Sequence, residues 1–172
     1  MKRYVLTYGL LSGAAAAAMM LAWVPYIDSI GFEYGAVFGY TAIVAAFLFV
    51  FFGIKAYRDN ELGGAITFGR AFTAGLLMTI ISSLCYVAAW QFVYFRLTPD
   101  FFDKYAAYST AKARAAGESE EKIASTAREL SEFKKLYDKP LVNATFTFIE
   151  PFPVGLLMTL VSAAALRKKP AA

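Results

Sequence analysis

Histidine is absent from this 172-residue chain and cysteine occurs once, at Cys85. The first absence removes the commonest general base and proton shuttle, imidazole-bound metals and any Ser–His or Cys–His nucleophile pair. The second excludes an intrachain disulfide and a paired-cysteine metal or redox site. Charge is also scarce: 17% of residues are Asp, Glu, Lys or Arg, against 59% hydrophobic, with a mean hydropathy of +0.50. Soluble domains carry roughly 25% charged residues, so this balance makes lipid the solvent for much of the chain. There is no Gly-rich phosphate loop, dinucleotide fingerprint or G-x-S-x-G elbow. No metal, no cofactor and no enzymatic chemistry is expected, and without a basic stripe carrying stacking aromatics no nucleic acid either.

What the chain does have is long apolar runs. Four of them, near 4–26, 34–54, 68–95 and 141–166, reach the ~20 residues that cross a ~30 Å hydrocarbon core. Trp23 and Tyr26 close the first as interfacial anchors, beside the helix-stopping Pro25. That run is too long for the core of a secretory signal, so it reads as a span. The expected fold is an all-α integral membrane four-helix bundle.

Lys and Arg positions set an expected orientation. Lys2 and Arg3 precede the first span, whereas Asp28 and Glu33 follow it, which puts the N-terminus on the cytoplasmic side. Lys55, Arg58 and Arg70, and then Arg167, Lys168 and Lys169, fall on the same side, so both termini are expected on the cytoplasmic side of the membrane. Segment 96–140 holds nine basic residues against eight inside, but dilutes them over a long stretch.

This water-exposed segment reads as a helical hairpin over about 97–139. Thr98 is the expected N-cap of its first helix, with Pro99 at the first position and Asp100 in the first turn. Phe101, Phe102, Tyr105 and Tyr108 form an apolar stripe, and Gly117 stops the helix. Ser119 caps a second helix whose apolar face is Ile123, Ala127, Leu130, Phe133 and Tyr137. These stripes pack on one another or on the membrane, or else 99–137 offers a groove to a protein partner.

Within lipid, helices associate through close packing of small residues. Gly9 and Gly13, Gly35 and Gly39, and Ala71 with Gly75 are such pairs, and Gly155 marks the fourth span. They either pack helices within the chain or make a homo-oligomer. The segment Phe72-Thr-Ala-Gly-Leu-Leu-Met-Thr-Ile-Ile-Ser82 is echoed 80 residues later by Phe152-Pro-Val-Gly-Leu-Leu-Met-Thr-Leu-Val-Ser162. An inverted repeat and a local packing preference both account for it.

Ionisable groups inside spans are the default functional suspects. Glu150 is the foremost, between Ile149 and Pro151, and Arg96 at the end of span three is its expected partner; the alternative is a carboxylate that handles protons or cations. On the cytoplasmic side, Lys55, Arg58, Asp59 and Arg70 around Gly63-Gly64 form either a polar connection or a headgroup-phosphate site.

Several segments resemble one known family. Met1-Lys-Arg-Tyr-Val-Leu-Thr-Tyr-Gly-Leu-Leu-Ser-Gly13, Phe52-Gly-Ile-Lys-Ala-Tyr-Arg-Asp-Asn60 with Gly63-Gly-Ala-Ile-Thr-Phe68, Pro99-Asp-Phe-Phe-Asp-Lys-Tyr105 and the Phe152–Ser162 run are similar to domain-of-unknown-function family 4199. The resemblance implies a small four-helix bacterial membrane protein and carries no reaction, ligand or catalytic residue. Three functions remain open: a non-enzymatic scaffold or accessory subunit, expected first; a small oligomeric transporter or channel using Glu150; and a membrane-embedded enzyme.

Overall fold

The computed structural model describes residues 1–26 and 31–168; Asp28 and Lys169, both used in the charge reading, lie outside the described residues. Among those described, the fold is helical apart from one isolated bridge. Helix α1 spans Lys2–Trp23 and runs into a short turn at Val24–Tyr26, α2 spans Phe32–Glu61, and α3 spans Phe68–Phe92. A π-helical turn at Val93–Leu97 extends α3; α4 (Phe101–Ala115) and α5 (Glu120–Tyr137) follow as an antiparallel pair. Helices α6 (Pro140–Ile149) and α7 (Pro151–Leu166) complete the chain.

Four helical stretches are long and apolar enough to cross a membrane: Lys2–Tyr26, Phe32–Glu61, Phe68–Leu97 and Pro140–Leu166. Only 28–39% of the most apolar window of each is buried inside the protein. The rest presents side chains such as Val37, Leu141, Leu157 and Val161 outward, more than half exposed. Water would penalise that much apolar surface, at about 25 cal/mol per Å², and hydrocarbon would not.

Helix α3 is central, touching α1, α2, α6 and α7. Its contacts are close because small residues permit them. A Cβ on Gly9 would come within 3.0 Å of Ile81, and Gly13 lies against Cys85. Gly53, which sequence reasoning passed over, receives Met78 and Tyr8. Gly35 and Gly39 depart from expectation: a Cβ on Gly35 would reach only the Trp23 ring, at 3.9 Å, and one on Gly39 would meet nothing within 4 Å. They border a cavity instead.

The echo between spans three and four has a physical basis. Gly75 faces Thr159 and Gly155 faces Thr79, so equivalent positions of the two copies meet where α3 and α7 cross. The Thr79 and Thr159 hydroxyls are 3.0 Å apart, and Thr79 donates to the Gly155 carbonyl at 3.3 Å. One small-residue surface thus serves both sides of an antiparallel contact, as a self-complementary patch does in a two-fold dimer. A second hydroxyl joins three helices: Ser12 of α1 donates to the Ala46 carbonyl of α2 and lies 2.9 Å from the Ser82 hydroxyl of α3. In lipid these bonds have no competing water, though each contributes only ~0.6–2 kcal/mol.

The connection after α2 differs from the expected loop. Lys55, Arg58 and Asp59 lie on the last two turns of the helix, where Lys55 and Asp59 pair at i,i+4. The chain turns only at Gly63 and Gly64, with φ of +65° and +85°, conformations that glycine adopts without a Cβ clash. The Gly64 N–H then closes on the Arg58 carbonyl at 3.0 Å. At the hairpin, α4 begins at Phe101 with Asp100 as N-cap, not Thr98. Thr98 is engaged elsewhere: its amide and hydroxyl both donate to the Val93 carbonyl, at 2.8 and 3.2 Å, ending the π turn. Gly117 has φ +74°, and the Ser119 side chain accepts from the Lys122 amide, as the sequence suggests.

Candidate small-molecule cavity

The hairpin folds back over the end of the long helices where Trp23, Phe32 and Trp90 lie. Phe32 of α2 meets Phe101, Tyr105 and Tyr108 of α4, each with ring centroids 5.5 Å apart. Phe102 is buried among Tyr94, Phe133 and Tyr137, and Phe133 packs edge-on against Phe146 of α6. Both apolar stripes of the hairpin are therefore engaged within the chain.

A polar seam fastens the same region. The Trp90 indole N–H donates to the Tyr137 hydroxyl at 2.9 Å, which lies 3.3 Å from Thr147; Thr147 and Gln91 both donate to Asn143 Oδ1. Gln91 also donates to the Pro140 carbonyl at 2.8 Å. At its edge the Tyr94 hydroxyl donates to Asp138 at 2.6 Å, and Lys134 lies 3.1 Å from the same carboxylate. Burial by itself would raise the Asp138 carboxyl, but these two donors outweigh it and hold it below the ordinary carboxylate value. A depressed pKa contributes stability above the unfolded value, ~3.9, that is lost as pH falls through the folded value. Asp138→Asn is therefore expected to lower the thermal midpoint at pH 6, by a difference that shrinks as pH falls below ~3.9; equal midpoints at pH 6 would rule this out.

Beneath the hairpin is a cavity of about 460 Å³. Its walls are the ends of α1 (Ala16, Met20, Trp23) and α2 (Phe32, Gly35, Gly39, Ala42), Tyr86 and Trp90 of α3, and aromatic residues of α4 and α5. The openness at Gly35 and Gly39 is what gives it room. Half of its lining residues are aromatic, and Glu150 is the one charged residue among the described lining residues.

Glu150 stands at the break between α6 and α7. Pro151 and Pro153 have no amide hydrogens, so the carbonyls of Thr147 and Ile149 lose their helical donors and the fourth span divides there. The side chain is exposed on the cavity wall and accepts a bond from the Tyr86 hydroxyl at 3.3 Å. Arg96 is not its partner. Tyr86 sits opposite Glu150 and Gln91 opposite Asn143, so the antiparallel register carries Arg96 ten residues past Tyr86, about 15 Å at 1.5 Å per residue. Tyr86 was missed because a tyrosine in an apolar run reads as packing; the register of α3 against α6 is what identifies it.

Residues 7–168 match the family described as "Protein of unknown function (DUF4199)". The chain belongs to that family. No curated protein and no solved structure matches it.

At the other end of this DUF4199 member, the basic cluster divides. Arg58 bonds Asp59 at 2.6 Å and donates to the Leu166 carbonyl at 3.3 Å, closing the end of α7. Ile66 and Lys168 exchange two backbone bonds alongside, and the Met1 ammonium meets Glu61 at 2.7 Å. Lys55 also reaches Asp59, whereas Arg70 stands apart on the first turn of α3, beside Met1, Tyr57 and Thr73. These four side chains do not converge on one anion-binding point. Arg58 latches the end of α7, and the Met1–Glu61 pair holds the start of α1 at the same end of the molecule.

Proposed function

We propose that this DUF4199 member is a non-enzymatic multi-pass protein of the bacterial cytoplasmic membrane that binds a small organic molecule beside Glu150, as a small transporter would. The observation that carries this reading is the cavity, whose volume lies within the ~300–1,000 Å³ usual for small-molecule sites and whose lining joins many aromatics to one carboxylate. Both termini are placed on the cytoplasmic side by the positive-inside rule, which puts the hairpin and cavity toward the outer face. The accessory-subunit reading draws on the hairpin, but its apolar stripes already cover the helices beneath it. The oligomer reading draws on spare glycine faces, yet Gly9, Gly13, Gly75 and Gly155 meet residues of the same chain.

The test is what travels with the purified protein. Wild type, extracted in mild detergent and analysed by native mass spectrometry, is expected to carry a bound small molecule. Gly39→Trp, which fills the cavity from a position with open space around it, is expected to carry none. The same complement of annular lipids on both, and nothing else, would end the proposal.

A further inference from the structure

We infer that the ligand of this cavity is a hydrophobic organic cation, an amine, ammonium or phosphonium whose charge Glu150 balances; the inference rests on the cavity reading. A charge at membrane depth is costly unless something pairs with it. Among the described residues Glu150 has one hydrogen-bond partner, the Tyr86 hydroxyl, and none of the described cations lines the cavity. The missing counter-charge is therefore one that a ligand can bring.

The remaining walls favour the same sign. Aromatic faces carry negative potential and attract ammonium-like groups within about 6 Å of the ring centroid. Two of the lining donors that could hold an anion are already engaged, the Trp90 N–H on Tyr137 and the Tyr86 hydroxyl on Glu150 itself. The positive end of α2 at Phe32 carries Glu33 in its first turn, whose carboxylate also pairs with Lys112 of α4 at 3.4 Å.

Other occupants fit less well. A bare metal ion needs several hard ligands, and no group of three His, Cys, Asp or Glu occurs among the described residues. A proton needs no space of this size. A lipid chain or neutral apolar molecule fills the volume but leaves the carboxylate without a counter-charge.

The experiment uses tetraphenylphosphonium and tetraphenylborate, probes of closely similar shape and opposite charge, with the full-length protein in lipid nanodiscs and empty nanodiscs as blank. Both tryptophans of the chain, Trp23 and Trp90, line the cavity, so intrinsic fluorescence reports binding alongside equilibrium dialysis. Wild type should bind the cation saturably and not the anion. Glu150→Gln should weaken the cation by about thirtyfold, the low end for removing one partner of a buried charge pair, with Glu150→Asp within a few-fold of wild type.

Equal affinity for the two probes, equal affinity of wild type and Glu150→Gln, or no saturable binding of the cation by wild type overturns the cation inference. The comparison of probes on wild type needs no variant to fold. The cavity reading is judged separately. If Gly39→Trp abolishes binding that Glu150→Gln leaves intact, the cavity stands and only the charge assignment falls. If Gly39→Trp binds like wild type, the site is elsewhere and both fall.

Discussion

Gly155→Val should destabilise the protein by about 3 kcal/mol, a value at the upper end of overpacking costs, whereas Gly39→Val should leave stability unchanged. A Cβ at position 155 would lie 2.5 Å from the Phe47 ring of α2 and 2.5 Å from the Thr79 methyl of α3. Neither neighbour is the free end of a flexible chain. Phe47 is 2% exposed and Thr79 fully buried, so relief requires α7 to move away from both helices. That movement also lengthens the Thr79 bond to the Gly155 carbonyl. Gly75→Val should act similarly, since its Cβ would meet Ile54 and Thr159 at 2.8 Å. Against a total stability of roughly 5–15 kcal/mol, this is a large fraction. The measurement is the fraction of protein remaining monodisperse in detergent after heating. A Gly155→Val curve superimposed on that of Gly39→Val would refute the close crossing of α3 and α7.

The second large effect is expected from Phe102→Ala, at about 3–5 kcal/mol for loss of a buried phenylalanine. Phe102 is 8% exposed, with Tyr137 at 5.1 Å, Phe133 at 5.6 Å and Tyr94 at 6.1 Å between centroids. It joins α4 to α5 and both to α3. The loss should fall on the hairpin and spare the long helices, because helices of 15 and 18 residues are marginal in water without a packed face. Amide exchange in α4 and α5 should rise by on the order of a hundredfold, with the centre of α3 unchanged. Tryptophan emission should shift to the red, since Phe102 also lines the cavity shared by Trp23 and Trp90. Uniform acceleration across the whole chain would mean that the hairpin and the long helices unfold as one unit.

Much of the architecture was readable before any coordinates. Apolar runs of membrane-crossing length, turn glycines at 63, 64 and 117 and the Ser119 cap are local signals, decided by hydropathy and backbone chemistry within a few residues. Boundaries were less legible where a residue had two possible uses. Thr98 is as good an N-cap as any threonine, yet its amide and hydroxyl both turn back to the Val93 carbonyl, where the π turn ends. Asp59 resembles a turn residue but stays helical, held between Lys55 and Arg58.

The candidate site was half legible. Glu150 stands out as an acid within an apolar run, and its prolines mark the break. Its partner does not stand out, because pairing depends on the register of two antiparallel helices and any of several residues near the end of α3 satisfies the sequence. The glycines show the same limit. Gly9, Gly13, Gly75 and Gly155 press against neighbouring helices, whereas Gly35 and Gly39, with the same spacing, leave room beside them.

The chain by itself, then, determined the four helical runs long and apolar enough to cross a membrane, the hairpin and the absence of histidine chemistry, all properties of composition and of short-range order. Only the tertiary structure decided that Tyr86 and not Arg96 meets Glu150, that the echoed segments cross at equivalent residues, and that two glycines border a cavity. Those outcomes depend on which faces meet and at what depth. In lipid, apolar burial does not choose between faces, so small differences in side-chain fit and a few hydroxyl bonds make the selection.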